Sequence, residues 1–249
     1  MMFSGRKQFT TSGAAFQIST NLGIFSTFHT LQDSEFGRYR SAYSSYYLSL
    51  ARFLPEMSVN RRWRNGPYYV IKYGGRYTEA QKRLTKRFNA IDKFIHFDFF
   101  NCIIHACIML DRTIALSRYF LKGEELPSFN SFSKHIKFFK ALTHSYSPYK
   151  DYAEYMRDKT GWYEIPLKLV RDKFIVHQGP KHMRFFGFPS DAQDQLELFI
   201  LPTDDNDKQE FGSWIRVSMV QLIHDISSFL WWYNDYGLKA IALMRRGQR

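Results

Sequence analysis

The sequence predicts an all-α helical bundle with a long C-terminal helix and one or two small β-hairpin insertions. Three observations point there. Hydrophobic residues make up 45% and aromatics 18% of the 249 residues, too apolar for a chain that stays unfolded. Ile215, Met219, Leu222, Ile226, Phe229 and Tyr233 repeat at helical spacing over several turns. Ile103, Cys107, Leu110 and Ile114 do the same in the middle of the chain, beside a separate polar stripe of Asp98, Asn101, His105 and Arg112.

Taken in order, residues 1–30 read as an irregular arm, with Gly5, Gly13 and Gly23 among small polar residues. Residues 31–249 read as a single helical domain. Its first helix runs from about Gln32 to Leu54 and is stopped by Pro55. Residues 60–78, rich in Tyr, Val and Ile and punctuated by glycines, read as a β-like insertion. Thr78 followed by Glu79 and Ala80 is a helix start, and helix continues to about Leu121 as one element or two. A loop containing Pro127 leads to a short helix opened by Ser131 or Ser133, and Ser147-Pro148 starts another. Trp162–Gln178 reads as a helix with Pro166 near its start and Gly179-Pro180 closing it. A second β-like insertion, 182–202, pairs Met183–Phe188 with Leu196–Leu201 before the C-terminal helix.

The longest nearly continuous apolar run, Phe99 to Leu110, is broken by Asn101 and His105 and falls short of the roughly 18 residues of a membrane span. The N-terminus lacks the apolar stretch of a signal peptide; residues 1–32 are free of acids and rich in Ser and Thr, which keeps an organelle transit peptide open, although arginine is sparse. The expected location is cytoplasmic, without membrane attachment. Cys102 and Cys107 fall in the most hydrophobic helix, as buried thiols in a reducing compartment do. The net charge of +12 favours polyanionic partners such as nucleic acid.

Two segments carry candidate chemistry. Arg61, Arg62, Trp63, Arg64, Lys72 and Arg76 interleave with Tyr68, Tyr69, Tyr73 and Tyr77, and Lys82, Arg83, Lys86 and Arg87 extend the run; cations that track phosphates and rings that stack bases have this composition. A β excursion packed on the bundle has it too. The second is Leu169-Val170-Arg171-Asp172-Lys173-Phe174-Ile175-Val176-His177. Arg171 and His177 are six positions apart, about 120° around an ideal helix and about 9 Å along it, so they do not share a face. A histidine at a helix end is also what the local dipole favours, and an arginine at the edge of a core is commonly ion-paired.

The Arg171-Asp172-x4-His177 run resembles the signature of the HEPN superfamily (higher eukaryotes and prokaryotes nucleotide-binding domains). The resemblance covers about residues 80–245 and rests on context: helices before the motif, the motif late in the chain, a long helix after it. It implies a metal-independent endoribonuclease working as a homodimer on RNA, with no cofactor. In that role His177 moves protons, Arg171 binds the scissile phosphate, Asp172 orients or tunes them, and Lys173 adds to nucleic-acid binding. The resemblance also implies a toxin–antitoxin, antiphage or RNA-processing setting with a separate antitoxin or regulatory protein. Apart from the resemblance, Asn101 and His105 of the polar stripe read either as lining a cleft that faces His177 or as part of a solvated face. The alternative is a non-catalytic helical module that binds nucleic acid or protein. No metal-ligand pattern stands out: the Glu-x-x-His of di-iron bundles has no counterpart between Ala80 and Leu121.

Overall fold

The computed structural model describes residues 34–121, 126–141, 149–172, 183–186, 197–200 and 215–247. These form a predominantly helical bundle: α1 (Ser34–Trp63), α2 (Glu79–Ala115), α3 (Phe132–Ala141), α4 (Lys150–Asp158) and α5 (Met219–Gly247). The arm at 1–30 lies outside the described residues.

The most extensive packing joins α1 to α2. Tyr39, Tyr43, Tyr46, Leu50, Phe53 and Met57 recur at three- and four-residue steps on α1 and are buried. Against them α2 sets Ile95, Phe99, Cys102 and Ile103; the Phe53 and Phe99 rings lie 5.7 Å apart. Pro55 does not end α1, which continues to Trp63. An internal proline costs about 3 kcal/mol of helix stability. Burying Phe53, Leu54 and Met57 on both sides of it returns more than that, while Ala51, whose carbonyl loses its helical partner, is exposed to water.

Residues 60–72 are likewise helical, which corrects the expected β insertion. A π-helical turn, Arg64–Tyr68, accommodates Pro67, and one further turn, Tyr69–Lys72, follows. The Tyr-Val-Ile composition misled because strand propensity is weak against tertiary packing. Gly74, at φ +74°, ends the turn: Gly75 N donates to Val70 O (2.8 Å) and Gly74 N to Ile71 O (3.2 Å), the paired bonds of a Schellman cap. Thr78 then caps α2 as anticipated. Its hydroxyl accepts from Gln81 N (3.2 Å) and its own N–H donates to Gln81 Oε1 (2.9 Å), a reciprocal capping box.

α2 is one 37-residue helix, tightening to a 3-10 turn at Leu116–Tyr119. Because it extends well beyond the apolar run at 99–110, the stretch Phe94–Tyr119 reaches the length and mean hydropathy (1.5) of a span, a correction to the shorter reading. Length and composition alone give that result, and 56% of the window is buried within the bundle, as in a core helix. Met109, Leu110 and Ile114 have no exposed surface. Tyr233 of α5 donates to Thr113 O at 2.8 Å, fastening the C-terminal helix to α2. Phe132 of α3 meets Phe229 of α5 edge to face at 5.0 Å and Tyr163 at 4.6 Å.

Three short strands, β1 (Met183–Phe186), β2 (Glu197–Ile200) and β3 (Ile215–Ser218), form an antiparallel sheet in the order β1-β2-β3. The sequence placed Ile215 in the C-terminal helix; it is in β3, and α5 starts at Met219, where Ser218 Oγ accepts from Gln221 N (3.2 Å).

His135 of α3 is fully buried, with Nε2 2.7 Å from the Tyr152 hydroxyl and Nδ1 without a partner. Burial pushes its pKa down to about 3. The unfolded chain therefore binds a proton at this residue, between about pH 6.5 and pH 3, that the folded one refuses. Stability from this group is complete above about pH 6.5 and falls with acidification. Urea unfolding across pH 4–6 should show a smaller pH slope in His135→Leu than in wild type, by up to about 1.4 kcal/mol per pH unit; equal slopes would contradict the buried neutral imidazole. Phe132→Ala should cost about 3–5 kcal/mol in the same assay.

Candidate functional site

Helical turns run through Pro166 as a π-helical stretch, Tyr163–Lys168, and continue to residue 172, so Arg171 and Asp172 sit on a helix as expected. Lys173 and His177 lie outside the described residues. Arg171 Nε donates to Asp172 Oδ1 at 2.7 Å; the two side chains are 26% and 36% exposed. The Arg171 guanidinium also reaches the Cys107 thiol of α2, and Asp111 and Tyr163 stand within electrostatic range. Burial works against the Arg171 charge, but the bond to Asp172 and the neighbouring Cys107, Tyr163 and Asp172 groups outweigh it and raise its pKa. This cation stays protonated at any physiological pH.

The floor of the cluster is rigid. Asp111 Oδ1 accepts the N–H of Phe132 at 2.7 Å, so the first turn of α3 hangs on the same helix as Cys107. The Tyr163 hydroxyl is buried without a partner. Cys107 is held as a neutral thiol, its pKa pushed up to about 12 chiefly by burial, which makes it a poor nucleophile. The cluster thus offers one fixed, partly exposed guanidinium with an attached carboxylate. Such a pair can bind a phosphate oxygen and steer it, but proton transfer needs an imidazole from elsewhere.

Asn101 and His105 do not join this site. His105 Nδ1 lies 2.6 Å from Ser49 Oγ of α1, and Asn101 is half-buried on the same side. Cys107 lies about 200° around the helix from His105, on the face turned to Arg171. The stripe borders a different polar seam. Two turns along from that contact, Arg52 reaches the buried Asp98 carboxylate at 3.1 Å. Glu56 adds a second carboxylate beside Asp98, and one of its oxygens, Oε2, is sealed from water without a hydrogen-bond partner. Burial first, then the charge and hydrogen bond of Asp98, push the Glu56 pKa up to about 7 against the pull of Arg52. Near neutral pH the Glu56 carboxyl is partly protonated, with a side-chain hydrogen bond to Asp98. Sequence reading missed Glu56 because it ended the helix at Pro55; a helix carried through would have aligned Arg52, Glu56 and Asn60 on one face.

The basic aromatic run is helical, not extended, and its parts separate. Trp63 stacks on Phe88 at 3.9 Å with planes 7° apart, so that ring face is occupied by Phe88. Arg64 Nε donates to Asn60 Oδ1 (3.0 Å), Arg62 reaches Ser58, and Arg61 is half-buried. Lys72 and Arg76 are exposed, with Lys72 5.7 Å above the Tyr73 ring. One face of Trp63 is thus covered, and Arg62, Lys72 and Arg76 are the exposed cations of the run. Among the described residues no group of three or more His, Cys, Asp and Glu side chains is placed to hold a metal ion.

The raised Glu56 pKa has a definite sign: its stabilising effect is complete below about pH 4.5 and is lost as pH rises through about 7. Glu56→Gln, which keeps the shape without the charge, should therefore be favoured over wild type more at pH 8 than at pH 5 in denaturant titrations. An advantage that does not change with pH would show that Glu56 is not the titrating group. No protein-family model, curated protein or solved structure matches this chain.

Proposed function

We propose that the chain is a metal-independent endoribonuclease of HEPN type, acting as a cytoplasmic homodimer on RNA. The observation that carries the reading is the Arg171–Asp172 pair: a guanidinium anchored through Nε, a quarter of its side chain open to solvent, six residues ahead of His177 in a chain of net charge +12. With Nε engaged by Asp172, the terminal nitrogens are the donors for a scissile phosphate. Asp172 sets the guanidinium's orientation.

In the reaction the RNA 2′-hydroxyl gives its proton to the His177 imidazole as its oxygen attacks the neighbouring phosphorus. The bond from phosphorus to the 5′-oxygen breaks, and that oxygen takes a proton from an imidazolium, leaving a 2′,3′-cyclic phosphate. Histidine suits both transfers near neutral pH. Arg171 stabilises the charge that builds on the phosphate oxygens. The ideal-helix separation of Arg171 and His177 calls for the arginine of one copy to work with the histidine of the other. Lys173, Lys72 and Arg76 supply further phosphate contacts along the substrate. A toxin–antitoxin, antiphage or RNA-processing role, with a separate antitoxin or regulatory protein, follows from the resemblance.

A second reading rests on the partners that Arg171 already has in Asp172 and Cys107. These suit a structural arginine in a helical module that binds nucleic acid or protein without chemistry. Incubating the purified protein with mixed RNA in EDTA separates the two. The first reading expects cleavage with 2′,3′-cyclic phosphate ends, reduced by about 10²- to 10⁴-fold in His177→Ala and about 10²- to 10³-fold in Arg171→Ala. Binding without cleavage by wild type, or cleavage that survives His177→Ala, leaves the second.

A further inference from the structure

The first half of α2 turns one face to solvent, and cations and uncovered rings follow one another along it. Phe94 and Phe97 are 54% and 59% exposed, although they sit on the helix that forms the centre of the core. Neither ring meets another among the described residues. They are three residues apart, about 4.5 Å along the axis and on the same side of the helix. Ahead of them come Lys82, Arg83, Lys86 and Arg87, all exposed. On an ideal helix these four and the two phenylalanines fall within an arc of about 140°, centred opposite the buried Ile95, Phe99 and Ala106. The arc is nearly free of acids. Lys82 pairs with Glu79 at 2.7 Å, while Arg83, Lys86 and Arg87 have no acidic partner among the described residues. Asp92 lies on another side beside Arg64 and His96, and Asp98 is buried against Arg52.

That order selects a ligand. Exposed cations attract any polyanion, but the rings beside them find nothing to stack on in a duplex, whose bases are already stacked on one another. A single strand offers both parts: phosphates for the cations and open base faces for the phenyl rings. Every base has such a face, so the strand is held without its sequence being read. A helix that lies on a membrane sets its cations and its apolar side chains on opposite faces; here they share one. Trp63, with one ring face on Phe88, is less open to a base than either phenylalanine. Asp111, close to Arg171, is about 21 Å beyond Phe97 along the same helix and about 40° around it. A strand following α2 from its cationic start thus passes both rings on the way to the Arg171–Asp172 pair.

We propose that the α2 face from Lys82 to Phe97 is a docking platform for single-stranded RNA, on which Arg83, Lys86 and Arg87 hold phosphates and Phe94 and Phe97 each stack a base. Lys82, engaged by Glu79, contributes less. The exposed Lys72 and Arg76, just ahead of α2, prolong the cationic end. The inference deepens the ribonuclease reading by locating its substrate, and it rests on that reading for RNA as the ligand but not for cleavage.

Binding to the full chain is read by fluorescence anisotropy with a short, mixed-sequence single strand of 2′-O-methyl RNA, which has no free 2′-hydroxyl and so is not cut. Phe94→Ala and Phe97→Ala should each weaken binding by about 5- to 150-fold, with the helical circular dichroism of wild type. Phe94→Leu and Phe97→Leu, which keep apolar bulk but no aromatic face, should weaken it as well. Lys86→Ala should lower the slope of log affinity against log salt by about 0.7. A duplex of the same sequence should bind with an affinity that none of the phenylalanine variants changes. The proposal is overturned by a wild type that does not hold the single strand, by alanine variants that bind it unchanged, or by leucine variants with wild-type affinity. Sedimentation with phosphatidylserine vesicles that Phe97→Ala abolishes, without any binding of RNA, assigns the face to a lipid surface instead. Ordinary RNA keeps the two readings apart. Binding without cleavage sinks the ribonuclease and supports the platform, whereas cleavage with an unchanged KM in both alanine variants sinks the platform alone.

Discussion

The packing of α1 along α2 is the contact on which the described structure depends. Phe53, Leu50, Tyr46 and Met57 on one side and Ile95, Phe99, Cys102 and Ile103 on the other close a seam that neither helix could leave in water. Each such side chain contributes about 1.5–3 kcal/mol when fully buried. This is enough to carry α1 through Pro55 and to draw the residues after Asn60 into helical turns in spite of their strand-like composition. It also leaves α2 with two further sides, one for α3 and α5 and one open.

Polar groups are distributed by the same packing. Where α1 and α2 meet, Asp98 is sealed in and must be met by Arg52 and a partly protonated Glu56, because an unpaired carboxylate there would be too costly. Where α2 meets α3, Asp111 takes a helix-end N–H and stands close to Arg171. The two polar sites are on different sides of α2, so the stripe through Asp98, Asn101 and His105 does not line the Arg171 cluster. Burial, more than sequence proximity, decides which polar groups share an environment.

Much of the architecture was legible because it follows local rules. The Thr78 start of α2, the long C-terminal helix and the β1–β2 pairing each come from capping or periodicity. The failures share one cause. Pro55 and the Tyr-Val-Ile run near 70 were read by intrinsic preference and Ile215 by extending the helical period one turn too far, and in each case the local signal was overridden in the folded chain. Of the candidate site, Arg171 and Asp172 were found from their order in the chain. Cys107 and Asp111 beside them were not, since nothing in the spacing links residues about sixty positions apart.

By itself the sequence determined the helical class, the main helix starts, the buried thiols and the adjacency of Arg171 to Asp172, all properties of near neighbours along the chain. Only the tertiary structure decided that Trp63 stacks on Phe88, that Glu56 is pressed against Asp98, and that Phe94, Phe97 and Ile108 remain uncovered. Those outcomes depend on which surfaces meet, and burial energy is a property of the assembled surfaces rather than of any one segment.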